Sequence, residues 1–139
     1  MSMSRIPLFL CLAGLCITAP AAQATQATER DGEAVYNCTC IVCHGNGLLG
    51  APKLGDKKRW AKLIREGLDD LAPSALGGED AMPPKGNNPN LSDMEVVRAT
   101  IFMANAAGGK FAEPSAADVA RWRELADRRQ QKKKSHEKK

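Results

Sequence analysis

The string Cys40-Ile41-Val42-Cys43-His44 combines two thiols and an imidazole at a spacing that can hold a prosthetic group. Residues three apart face the same side of a helical turn, so each thiol can form a thioether with one vinyl group of the same porphyrin. The histidine that follows can then offer a ring nitrogen to the iron. Because this spacing is the attachment site of c-type haem, the sequence predicts one haem c, bound covalently through Cys40 and Cys43.

A Cys-x-x-Cys pair alone is also found in disulfides, zinc sites and thioredoxin-type redox centres. Beyond the first 24 residues, the other cysteine is Cys38 and the other histidine is His136, in a lysine-rich stretch. No second ligand pair therefore completes a zinc tetrahedron, and no βαβ pattern surrounds the motif as a thioredoxin-like enzyme requires. A thiol–disulfide oxidoreductase that uses Cys40 and Cys43 is the alternative from another class. A haem sensor or peroxidase with an open iron position is the third candidate function.

An iron that transfers electrons needs a sixth ligand, and histidine with methionine is the common pair. Met94 and Met103 fall within a predicted amphipathic helix, where they are expected to pack in the core. Met82 instead stands in a loop directly before two prolines. Consecutive prolines restrict the backbone and reduce the entropy lost when a thioether is held in place. We therefore predict His44 and Met82 as the two iron ligands.

The segments that position these residues are short helices joined by loops rich in glycine and proline, without a convincing alternating strand. Start and stop signals predict five helices, which begin near Asp31, Asp56, Asp69, Ser92 and Pro114. Ser92 with Glu95 has the pattern of a capping box. The fifth helix is charged and is predicted to end near Arg129, and residues 130–139 are predicted to be disordered.

The length of 139 residues fits one domain preceded by a targeting segment. Arg5, an apolar run and Ala22-Gln23-Ala24 form the pattern of a signal peptide at residues 1–24, which predicts export, with an uncleaved N-terminal anchor as the alternative. Aromatic residues make up only 4% of the chain. A buried porphyrin is a large apolar body that would supply the missing core of a haem domain at residues 25–109.

Residues 110–139 form a basic extension, with ten Lys/Arg against five Asp/Glu, whereas residues 25–109 have nine against eleven. The extension is interpreted as a solvated tail or as an electrostatic arm for an acidic partner or an anionic membrane surface. We expect its removal from residue 120 onward to leave the spectrum, haem content and reduction potential nearly unchanged. Few aromatics interleave with the basic residues, and export also argues against nucleic acid as a partner.

Several stretches resemble the class I c-type cytochromes, most closely the cytochrome c5 group. The resemblance covers about residues 29–107. It implies a small all-α class I cytochrome c fold, in which about four short helices wrap around one covalently bound haem, with a charged C-terminal extension that is helical or disordered. The stretches that match are Asp31-Gly32 with Val35-Tyr36, Gly50-Ala51-Pro52-Lys53 with Gly55-Asp56, Trp60, Ala81-Met82-Pro83-Pro84-Lys85-Gly86, and Phe102-Met103.

The same resemblance implies a function and two further site residues. It implies a one-electron carrier, not an enzyme, in the periplasm or at its membrane surface. Its expected partners are redox proteins, namely respiratory membrane complexes and a terminal oxidase or reductase, and no small-molecule substrate. It implies that the Pro52 carbonyl accepts a hydrogen bond from the His44 ring and that Trp60 lies near the haem propionates, although a helix-core role for Trp60 stays open. Cys38 departs from the family pattern and is either a small, partly buried helix residue or a thiol that forms an intermolecular disulfide or a miswired thioether.

Overall fold

A computed structural model describes residues 29–137, and within that range the elements are helical apart from an isolated bridge between Glu79 and Met82. The all-α prediction is therefore confirmed, while the predicted signal peptide lies outside the described residues. No helix in residues 29–137 has the length and apolarity that a membrane crossing needs. The helices are α1 (Gly32–Val35), α2 (Ile41–His44), α3 (Lys57–Glu66), α4 (Leu68–Gly77), α5 (Asp93–Ala106) and α6 (Ala116–Glu137), with a π-helical turn at Tyr36–Cys40 and 3-10 turns at Leu48–Gly50 and Pro84–Asn87.

Three helices begin at the caps that the sequence predicts. The side chains of Asp31, Asp56 and Ser92 each accept a hydrogen bond from the backbone N–H of the residue three positions on, at 2.7 to 3.1 Å. Glu95 returns the bond by accepting from the Ser92 backbone N–H at 3.0 Å, which completes the capping box. Each cap stabilises its helix by about 1 kcal/mol, because it satisfies a backbone donor that has no partner within the helix.

Helix α5 packs against both α1 and α4, and α4 also contacts α3 and α6. The crossing of α1 and α5 is close, since a Cβ atom built on Gly32 would lie 2.2 Å from the Arg98 carbonyl oxygen. Met103 lies on the face of α5 that is buried in the protein core and is 3% exposed, as its position in a predicted amphipathic helix indicates. Two clusters of buried side chains form the core; the first includes Val35, Leu76, Val97, Trp122 and Ala126, and the second Tyr36, Trp60, Leu71, Met103 and Ala104.

The C-terminal extension corrects the sequence prediction. Helix α6 continues to Glu137, so disorder from residue 130 onward is wrong for the described residues. Val119, Trp122 and Ala126 are buried on one side of α6, and the Trp122 indole Nε1–H donates to Asp69 Oδ1 at 2.7 Å. The helix is ordered because this apolar stripe packs on α4, where acidic groups also meet its basic side chains.

Candidate functional site

The cysteine motif spans the junction between the π-helical turn and α2. The Ile41 backbone N–H donates to the Tyr36 carbonyl, five residues earlier, so one residue is added to the turn that carries Cys40. Cys40 and Cys43 are half-buried, and His44 is 7% exposed. The structure therefore places both thiols and the imidazole of the motif on one short helical segment, as their spacing predicts.

His44 is held by both its side chain and its backbone. The ring Nδ1–H donates to the Pro52 carbonyl oxygen at 2.8 Å, which is the contact that the resemblance implies. The His44 carbonyl accepts from the Leu54 backbone N–H, also at 2.8 Å. These bonds fold the loop after the motif back onto the histidine. With Nδ1 protonated, Nε2 is the ring nitrogen that keeps a free lone pair for a metal.

Trp60 supports this loop from α3. Its indole Nε1–H donates to the Lys53 carbonyl at 2.8 Å, and its ring centroid lies 6.3 Å from that of His44. The side chain is 2% exposed and packs within the second core cluster. The core role left open for Trp60 is thus observed, and its placement near haem propionates stays a prediction.

Met82 lies in a tight loop between α4 and α5. The backbone N–H and carbonyl of Met82 bond to the carbonyl and N–H of Glu79, at 2.8 and 3.0 Å. Gly78 has φ of +82°, and a Cβ atom there would lie 2.7 Å from the Met82 carbonyl oxygen, so only glycine fits this turn. After the prolines, Lys85 and Gly86 also have positive φ, which reverses the chain towards the motif.

Asn88 joins the methionine loop to the cysteine motif. Its side-chain Nδ2–H donates to the hydroxyl of Thr39 at 3.2 Å, and Thr39 directly precedes Cys40. Cys40 and Met82 also pack against the same core cluster. Sequence reasoning missed Thr39 and Asn88, since their hydrogen bond joins residues 49 positions apart and neither residue type is distinctive.

The Cys40 thiol does not have the environment of a reactive nucleophile. Burial raises the pKa of the Cys40 thiol to about 11, and neighbouring Cys38 adds to the effect. A reactive thiol requires the opposite shift, because the thiolate is the nucleophile. Cys38 is exposed, and its thiol donates to the Val35 carbonyl at 3.4 Å. Within residues 29–137, no three His, Cys, Asp or Glu side chains form a metal-ion cluster.

The donor set fits a covalently attached haem. It offers two thiols one helical turn apart, an imidazole whose Nδ1 is engaged by Pro52, and a half-buried thioether in a loop bonded to the same segment. Thioether and imidazole are ligands that suit an iron porphyrin. The residues that would hold haem c are Cys40, Cys43, His44 and Met82.

Comparison with known proteins places this chain among cytochromes c. A family model described as "Cytochrome C oxidase, cbb3-type, subunit III" matches residues 27–103. Cytochrome c-555 of Chlorobaculum thiosulfatiphilum is 40% identical over 52% of this chain and 88% of its own length. Cytochrome c5 of Azotobacter vinelandii is 44% identical over 50% of this chain and 87% of its own length.

A solved structure is similar over about half of the chain. It is titled as the crystal structure of an electron transfer complex of nitrite reductase with cytochrome c. The matched chain is 41% identical, and the alignment covers 55% of this chain and 93% of that one with a TM-score of 0.53. Helix α6, at residues 116–137, lies beyond the last residue that the family model matches.

Proposed function

This chain belongs to the cytochrome c family, and on that premise we propose that it is a periplasmic one-electron carrier whose haem iron is ligated by His44 and Met82. As a member of this family it binds haem c covalently and acts in electron transfer. The finer proposal concerns the attachment residues Cys40 and Cys43, the two ligands and the redox partners. These partners are respiratory membrane complexes on one side and a terminal oxidase or reductase on the other.

The fixed ring of His44 is the observation that carries the proposal. A haem bound here supplies a ferrous–ferric couple that accepts and releases one electron. The bond to Pro52 fixes the His44 tautomer and ring orientation, so the imidazole would present Nε2 to a haem iron in one orientation. The prolines and the paired backbone of Met82 restrict the thioether in the same way. A ligand set held this firmly supports electron transfer with little reorganisation.

The alternative functions receive less support. A thiol–disulfide oxidoreductase that uses Cys40 as its nucleophile is disfavoured, because burial raises the pKa of Cys40 to about 11 and a nucleophilic thiol needs a lowered value. A sensor or peroxidase needs an open iron position. The hydrogen bond between Asn88 and Thr39 instead holds the Met82 loop against the cysteine motif, which favours a closed one.

Fewer basic residues of the C-terminal extension are available for docking than its composition suggests. Much of the positive charge on α6 is paired with acidic residues nearby, as Arg129 is with Asp70 at 2.6 Å and Arg121 with Asp69 at 2.9 Å. Among the described residues, Arg128, Lys132 and Lys134 have no acidic partner. We propose that this end of α6 attracts an acidic redox partner by long-range attraction. Binding of full-length protein to anionic vesicles at low salt would instead indicate a membrane surface as the target.

A reduced-minus-oxidised spectrum combined with a haem stain on a denaturing gel tests the proposed carrier. We expect a reversible low-spin c-type spectrum and a stained band that survives denaturation. Cys40→Ala and Cys43→Ala should each leave at most one thioether, and Cys38→Ser is the matched control that should keep both. A haem-free protein with titratable thiols would contradict the proposal and favour the oxidoreductase.

A further inference from the structure

Helix α6 contacts the Met82 loop on its C-terminal side through an ion-pair chain. The Arg123 guanidinium donates from Nε and Nη2 to the two carboxylate oxygens of Asp93, both at 2.7 Å. Asp93 also pairs with Lys85 at 2.9 Å, and Lys85 donates to the Leu91 carbonyl at 2.7 Å. Lys85 is three residues after Met82, so the chain of contacts runs from α6 directly into the loop.

The same helix contacts the loop on its N-terminal side. Gln130 donates from its side-chain amide to the Gly77 carbonyl at the end of α4. Lys133 pairs with Glu79 at 3.4 Å, and Glu79 is the residue whose backbone is bonded to that of Met82. A Cβ atom built on Gly77 would lie 3.2 Å from the Ala126 Cβ, which shows how closely α6 approaches this end of α4.

The contacts of α6 with the loop lie next to buried residues of the helix. Trp122 is 3% exposed and Ala126 is fully buried, so the middle of α6 is anchored in the core. The side chains of Arg123 and Asp93 are each 27% exposed. Solvent and salt therefore screen the attraction between them less than they screen a fully exposed ion pair. Because Ala126 lies between Arg123 and the pair Gln130 and Lys133, one buried stretch of α6 supports the contacts to both ends of the loop.

We propose that α6 is a clamp for the methionine loop, in which Arg123, Gln130 and Lys133 are positioning residues that keep Met82 in its ligating position. This inference rests on the proposed His44 and Met82 ligation and adds a regulator of it that lies outside the region the family model matches. The clamp restricts opening of the loop, which would expose the sixth iron position to external ligands. It argues against the expectation that residues 120–139 can be removed without effect on the spectrum and potential.

Arg123→Gln in the holoprotein tests the clamp, with Arg121→Gln as the matched control. Both variants remove one arginine charge from α6, but Arg121 pairs with Asp69 and Asp118, away from the loop. We expect Arg123→Gln to raise the affinity of the ferric protein for imidazole by about two- to fivefold, the range that measured ion pairs near a protein surface support. Arg123→Lys keeps the charge but not the two-point bond to Asp93, so its imidazole affinity should rise less than that of Arg123→Gln, and it is the test variant if Arg123→Gln fails to fold.

Hydrogen exchange at the Glu79 and Met82 amides gives a second readout that uses no external ligand. Exchange at these amides should accelerate in Arg123→Gln and in Gln130→Ala, relative to amides in the centre of α5. Imidazole affinity and exchange in Arg123→Gln that equal those of Arg121→Gln would overturn the clamp alone. If Met82→Ala has the same spectrum as the wild type, the ligand assignment is wrong and the clamp fails with it. Failure of the clamp alone and failure of the ligand assignment are therefore distinguishable.

Discussion

Replacing Gly32 with alanine should destabilise the protein strongly by forcing α1 away from α5. The added methyl group would lie 2.2 Å from the carbonyl oxygen of Arg98, 2.7 Å from its carbonyl carbon and 3.0 Å from the Phe102 Cβ. A backbone carbonyl within a helix cannot rotate aside as a flexible side chain does, so the helices must separate. Overpacking costs about 1–3 kcal/mol, and the backbone partner places this substitution at the upper end.

Thermal unfolding of the holoprotein, followed by circular dichroism, measures the effect. For a domain near this size, a loss of about 3 kcal/mol lowers the Tm by roughly 10–20 °C. Gly55→Ala is the matched control, since Gly55 has φ of +77° with no atom within 4 Å of a built Cβ. It should lose only the backbone strain of about 1 kcal/mol. Equal Tm values for the two variants would refute the close crossing of α1 and α5.

Two further predictions concern acid stability and the extra thiol. The Arg30 guanidinium lowers the pKa of Glu95 from its usual 4.5 to about 2, so this pair stabilises the fold above pH 4.5 and the contribution is lost as the pH falls towards 2. Glu95→Gln should therefore lower stability at pH 7 by about 1 kcal/mol and flatten the unfolding free energy between pH 5 and 2, measured by denaturant titration. A variant with the wild-type acid profile would contradict this. Cys38→Ser should leave the Tm within about 1 °C of wild type, because the thiol is exposed and makes only long sulfur contacts, at 3.4 Å to the Val35 carbonyl and the Arg30 guanidinium and at 3.5 Å to the Thr39 hydroxyl; a large loss would show that the thiol packs in the fold.

Local signals in the sequence predict much of the fold. The capping box at Ser92 and Glu95 and the cap at Asp56 each involve residues three positions apart, and all are confirmed. The cysteine motif is equally local, because the residues that could attach and ligate a haem lie within five consecutive positions. The contact between His44 and Pro52 followed from family resemblance, and it is present although no spacing rule predicts it.

Local signals of this kind did not predict the structure of the C-terminal extension. Its charge composition predicts a solvated tail, but α6 is ordered by partners about 53 residues away, as the bond from Trp122 to Asp69 illustrates. The signal that could have identified this packing is the apolar spacing of Val119, Trp122 and Ala126, which fits one face of a helix. Nothing in the sequence indicated that Arg123 would meet Asp93, since that pairing depends on how α6 crosses the core.

The most direct test of the account is the comparison of Met82→Ala with Met103→Leu. Met103 is 3% exposed in the core, and leucine nearly conserves its volume, so this variant should keep the methionine–iron charge-transfer band and the wild-type potential. Met82→Ala should lose the band, lower the reduction potential and bind carbon monoxide in the ferrous state. A Met82→Ala protein that keeps the band and excludes carbon monoxide, or a Met103→Leu protein that loses the band, would contradict the central claim that His44 and Met82 ligate the iron.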